Sequence, residues 1–245
     1  MIELANAYFG RGKVDEQLKL QMSAIEILER LVAEQPNVGR LSITLAGARC
    51  NVGNLLRGQR RFTEAVEYYD KSIVLLEASR RAEGTSPRAK DYLEKALMGR
   101  GSSYEGLGKW LQASEDFRRL VALVDAKYVV KMRLGVALCL AKGGKPDEAS
   151  AELTSIGDDL PLPAYDSFIK ARVESLLSKS NPRKARWFAD RALASLERSL
   201  RSGLERPKNC LAEEDFEPIR ERDDFKKLVR EASTMSPALK TAPLG

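Results

Sequence analysis

Two short runs in this sequence carry a Gly-Lys pair of the kind that can hold phosphate: GLGK at 106–109 and GGKP at 143–146. A phosphate loop needs G-x-x-x-x-G-K-[ST], so that backbone N–H groups cradle the phosphates and a hydroxyl reaches magnesium. The first run offers Ser103 and Trp110 at the two remaining places, and the second offers Cys139 and Pro146. GRGSSY at 99–104 fails the dinucleotide pattern, because Tyr104 stands where its third glycine belongs. Histidine is absent from all 245 residues. Nucleophile–histidine relays and HExxH zinc sites therefore cannot arise within this chain. The three cysteines, Cys50, Cys139 and Cys210, are far apart and odd in number. They read as free thiols in a reduced, cytoplasmic compartment rather than as a disulfide framework. We expect no catalytic residue, no cofactor and no metal.

The chain must then be read as architecture. Hydrophobic residues make up 43% and charged residues 31%, which places it among globular proteins. The +6 charge has both signs interspersed, and no apolar run is long enough to span a membrane. Four segments align with one another: YFGRGKVDEQ (8–17), LRGQRRFTEA (56–65), YEGLGKWLQA (104–113) and LAKGGKPDEA (140–149). Each opens on Tyr or Leu, and each carries a basic residue at its sixth place: Lys13, Arg61, Lys109 and Lys145. Such recurrence marks stacked units, each too small to bury its own apolar face. Gly-Lys is here a corner: glycine lets one helix end, and the cation meets that helix's negative terminus. Asp15, Thr63 and Asp147 follow where the next helix needs a cap.

Helical periodicity fills the intervals. It predicts helices at 15–35, 38–58, 63–84, 88–106, 110–124, 127–142, 146–156, 163–179 and 183–203, with no period-2 stretch. In 38–58 the stripe is Leu41, Leu45, Ala48, Val52, Leu55 and Leu56. In 63–84 it is Val66, Tyr69, Ile73 and Leu76. Only Met1–Phe9 precede the first corner, so the chain reads as the end of a longer array.

Leu97, Gly101, Tyr104, Ala113 and Phe117 fall at five signature spacings of the tetratricopeptide repeat, and Gly53, Ala65 and Tyr69 at three more in the preceding unit. The chain resembles that family over residues 1–203, although intervals of 48, 48 and 36 between corners depart from its usual period. The resemblance implies an all-α, right-handed solenoid of helix hairpins. Residues 192–232 resemble the closing segment that follows such arrays in bacterial Ser/Thr kinases. Asp215, Phe216, Pro218, Ile219, Arg220, Phe225, Leu228 and Val229 occupy its places. The expected organisation is an array over 1–203, a cap over 204–232 and a flexible tail over 233–245.

The resemblance also implies a groove lined by the first helix of each hairpin. Mapped here, its positions are Asn6, Asn54, Arg57, Lys95, Ser102 and Lys131. Asn6, Asn54 and Lys95 overlap the family's carboxylate clamp, but Ile2 and Gly99 stand where that clamp has Lys and Arg. The implied function is non-catalytic recognition of a peptide or partner protein, as the accessory region of a bacterial Ser/Thr kinase or a relative of one. It would recruit a substrate or bring copies of itself together. The alternative is nucleic-acid binding by the basic face of 183–201, where Lys184, Arg191, Arg198 and Arg201 flank Trp187. Against that alternative, the acidic segment that follows is expected to cover Trp187 and neutralise those arginines.

Overall fold

The computed structural model describes the backbone of residues 2–83, 86–157 and 160–234, and side chains within 15–82, 86–157 and 160–232. The tail expected from 233 onward lies outside the described side chains. Among the described residues every regular element is helical. They are α1 (Ile2–Glu34), α2 (Gly39–Gly58), α3 (Phe62–Glu83), α4 (Pro87–Gly106), α5 (Trp110–Val121), α6 (Ala126–Lys142), α7 (Pro146–Ile156), α8 (Ala164–Ser180), α9 (Ala185–Arg201), α10 (Pro207–Leu211) and α11 (Asp223–Thr234). Among these helices none is long and apolar enough to cross a membrane. The chain forms two compact units, residues 1–132 and 133–245.

In the first unit consecutive helices pack in pairs, α2 on α3 and α4 on α5, and α4 also packs on α2 and α3. That is the neighbour pattern of an α-solenoid. Leu45, Val52 and Leu56 of α2, Tyr69, Ile73 and Leu76 of α3, Leu97 of α4 and Phe117 and Leu120 of α5 are all buried. Ser86 caps α4, its hydroxyl accepting from Ala89 N at 3.1 Å, and Pro87 supplies a first-turn residue with no N–H to lose.

Three of the four expected corners are present, and they share one hydrogen-bond pattern. At the third, Lys109 N donates to Tyr104 O at 2.8 Å and Gly108 holds φ 68°. At the fourth, Lys145 N donates to Leu140 O at 2.9 Å and Gly144 holds φ 76°. At the second, Arg61 N donates to Leu56 O at 2.9 Å, but the left-handed residue is Arg60, at φ 62°. These are helix C-terminal motifs with a left-handed residue closing the turn. The first expected corner is absent: α1 runs unbroken from Ile2 to Glu34 through Gly10 and Gly12. Glycine weakens a helix but keeps its backbone N–H, so it permits a bend without imposing one.

In the second unit α8 packs against α9, and the C-terminal block packs mainly over α8, with α11 also touching α9. Phe216 sits 5.8 Å from Phe168 of α8 and 5.9 Å from Phe225 of α11, and Phe216 and Ile219 are fully buried. Asp215 receives Arg172 at 2.7 Å and Lys142 at 2.9 Å. The block packs on α8, not where charge and aromatics suggest. Trp187 remains 50% exposed, and Arg191 turns inward to the buried Glu174 at 2.9 Å rather than to the acidic segment. The expectation that the segment covers Trp187 and neutralises Arg191 is overturned. Its aromatic residues find α8 first.

Candidate functional site

Asn54 and Arg57 lie one turn apart near the end of α2, and Lys95 lies mid-way along α4, the helix packed beside it. What joins the two α2 residues is a tyrosine from the next helix. Tyr69 of α3 is fully buried, and its hydroxyl donates to Asn54 Oδ1 at 2.8 Å. The Arg57 side chain reaches the same hydroxyl, and burial pushes that phenol up to about 12. A buried tyrosine needs such a partner, because an unpaired hydroxyl in an apolar interior is costly.

The ring passes between α2 and α4 only because both helices are bare there. A Cβ at residue 53 would stand 2.7 Å from the Tyr69 ring, and one at residue 99 would stand 2.3 Å from it. The sequence reading treats Gly99 as a missing clamp arginine. The tyrosine ring occupies the place a side chain there would need. Cys50, one turn before Asn54, is buried beneath the cluster, and burial pushes its thiol up to about 11. It is a packing residue with a protonated sulfur.

Lys95 is exposed and ion-pairs with Asp91 one turn earlier at 2.7 Å. That hydrogen bond raises the lysine's pKa, so the cation is secure at neutral pH. Its ammonium stands 5.8 Å over the Tyr92 ring, and Arg88 stands 5.8 Å over the same ring. Arg57 is also exposed. Arg57 of α2 and Arg88 and Lys95 of α4 are thus accessible cations, with the Asp91 carboxylate beside them, over the buried Tyr69 ring and the half-buried Tyr92 ring. Ser102 lies two turns farther along α4, half-buried, and Lys131 is exposed on α6. Asn6 lies in the part of α1 whose side chains fall outside the described residues.

Behind this face Arg100 joins three helices. It contacts Asp116 of α5 through two bonds, at 2.9 and 2.6 Å, and Asp70 of α3 at 2.5 Å. Burial alone would lower its pKa, but the two carboxylates outweigh it and hold the guanidinium charged. Sequence reading missed this bridge, since Arg100, Asp70 and Asp116 sit at no common spacing and meet only once the hairpins stack. The Tyr69 pivot was half legible, because Gly53 and Tyr69 are both signature positions of the repeat.

Residues 1–37 and 45–79 match the tetratricopeptide repeat family. The second matched segment contains most of α2, the corner at Arg60–Arg61 and most of α3, including Asn54, Arg57 and Tyr69. No curated protein matches the chain. The crystal structure of BtubC (BKLC) from P. vanneervenii is similar over 94% of this chain and 96% of that one, with 15% identity and a TM-score of 0.53. At that identity the likeness shows the fold. The crystal structure of YrrB, a TPR protein with an unusual peptide-binding site, aligns over 73% of this chain and 98% of that one, with 20% identity and a TM-score of 0.33. In the second matched segment α2 is the first helix of its hairpin and carries Asn54 and Arg57, while Lys95 and Ser102 lie on α4, Lys131 on α6 and Asn6 on α1.

Proposed function

We propose that the α2–α4 face binds an extended peptide segment of a partner protein, and that the chain works as an interaction scaffold without chemistry of its own. The observation that supports this reading is that Tyr69 braces Asn54 and Arg57 on α2, while the neighbouring α4 presents the exposed Lys95–Asp91 pair. Asn54 spends its carbonyl on Tyr69, so its role is to hold the tyrosine, while Arg57 and Lys95 meet the ligand. Backbone carbonyls and acidic side chains of a peptide are the complementary groups. Ser102, Lys131 and Asn6 belong to the same surface by the resemblance. The likeness of residues 192–232 to the segment that closes arrays in bacterial Ser/Thr kinases supports a recruiting role of that kind, for a substrate or for a second copy.

The test is a displayed-peptide selection against the full chain, followed by titration of the recovered peptides. Charge reversal by Arg57→Glu with Lys95→Glu should weaken them at least tenfold, about 1.4 kcal/mol. Recovered peptides that bind the double variant as tightly as the parent would sink the reading.

A further inference from the structure

A second surface lies in the other compact unit, on the faces of α7 and α9. Between these helices is a cleft of about 90 Å³ lined by Ser150, Leu153 and Thr154 of α7 and by Trp187, Phe188 and Arg191 of α9. That is the room of about three waters, enough for one aliphatic side chain. Its floor is apolar, for Leu153 and Phe188 are buried. Its wall is Trp187, a large apolar side chain left half in solvent. Exposed tryptophans over a recess are the residues that anchor interfaces.

The stretch that carries Trp187 is basic. Residues 179–191 hold Lys179, Arg183, Lys184, Arg186 and Arg191 against Asp190 alone. Asp190 is engaged by Arg222 at 2.6 Å and reaches Arg186 only at 4.0 Å, leaving the Arg186 side chain 94% exposed. Arg183 and Lys184 are exposed in the 3-10 turn Pro182–Lys184, which Asn181 fixes by accepting from Lys184 N at 3.3 Å. The cations are therefore presented from an ordered turn beside the cleft.

We infer that this cleft is a docking site for an acidic peptide carrying one apolar anchor residue. The anchor enters between α7 and α9 against Trp187, and the flanking carboxylates meet Arg183, Lys184 and Arg186. The contacts of Trp187 favour a peptide over a nucleic acid. Its ring already carries the Arg191 guanidinium at 4.5 Å and the Lys184 ammonium at 5.9 Å, and its edge meets Phe188 at 4.8 Å. Arg191 is held in that position by Glu174. A base would have to displace these groups to stack, whereas an aliphatic side chain needs only the existing recess. The site uses none of the residues of the α2–α4 face.

The probe is a fluorescein-labelled nonapeptide of alternating Asp and Glu around one central Leu, titrated into the full chain and followed by anisotropy. Binding should weaken at least tenfold when the peptide's Leu is replaced by Ser. It should weaken at least tenfold with Trp187→Ala, and again with Arg183→Glu plus Lys184→Glu, all surface positions that leave the core intact. Lys95→Glu should change it less than twofold, which separates this site from the α2–α4 face. Absence of binding, sensitivity to Lys95→Glu in place of Trp187→Ala, or displacement by a thymidine 20-mer with matching affinity would each overturn the proposal.

Discussion

Residue by residue, this chain uses side chains to hold backbone rather than to react. The clearest instance is the corner at residues 56–65. Glycine takes the left-handed position at two equivalent corners, through Gly108 and Gly144, but at this one Arg60 sits at φ 62°. A side chain in that region costs about 1–2 kcal/mol. Glycine would return part of the gain through its freer unfolded chain. Arg60 is exposed, and its neighbour Arg61 is the residue that pairs with Glu64, at 2.6 Å. Arg60→Gly should therefore stabilise the protein by about 0.5–1 kcal/mol, seen as a rise in thermal midpoint of about 1–4 °C. An unchanged or lower midpoint would mean that Arg60 makes a contact worth more than its backbone strain. At this scale the sequence was largely transparent. Glycine before a basic residue marked the corners because the φ requirement is local. The exception was the first, where Gly10 and Gly12 sit inside α1, since a local permission to bend is decided by what the flanking segments pack against.

At the scale of elements, the helices were readable and their meeting points were not. Seven of the nine predicted helices lie within two residues of the observed bounds at both ends, because apolar spacing, Ser86-Pro87 and Pro146 are signals carried along the chain. The Arg100 bridge and the passage of Tyr69 between two glycines depend on which helices become neighbours. The glycine effect can be measured by contrast. Gly99→Ala places a methyl 2.3 Å from the Tyr69 ring and must push that ring off Asn54. We expect a loss of about 2–3 kcal/mol together with weakened peptide binding at the α2–α4 face. Gly58→Ala, at the last residue of α2 with open space around it, should be neutral or stabilising by up to about 1 kcal/mol. Equal effects at the two positions, in chemical denaturation, would show that helix propensity rather than the tyrosine governs residue 99. The same contrast explains why restoring an arginine at 99 cannot rebuild a carboxylate clamp, since the pivot already fills that space.

For the whole molecule, the C-terminal block shows how charge and packing compete to decide where a segment folds. Its acidic composition pointed toward the basic face of α9, and sequence alone offered no reason to prefer α8. Packing chose α8, because Phe168 there offers an aromatic partner and Arg172 and Lys142 receive Asp215. Leu211, Phe216, Ile219 and Phe225 are all buried as a result. At about 1.5–3 kcal/mol for each buried side chain, the block supplies a gross stabilisation of about 6–12 kcal/mol, against which the ordering of its own backbone must be set. Ending the chain after Arg206 removes that burial and leaves Phe168 uncovered and Arg172 without Asp215. The truncated protein should melt at least about 5 °C lower, and it should bind a dye for exposed apolar surface. The emission of Trp187, read in a Trp110→Phe background, should stay at the same wavelength, because this residue is half in solvent already. A red shift of Trp187 on truncation would mean that the segment shields this ring, and an unchanged midpoint would mean that the block decorates α8 without supporting it.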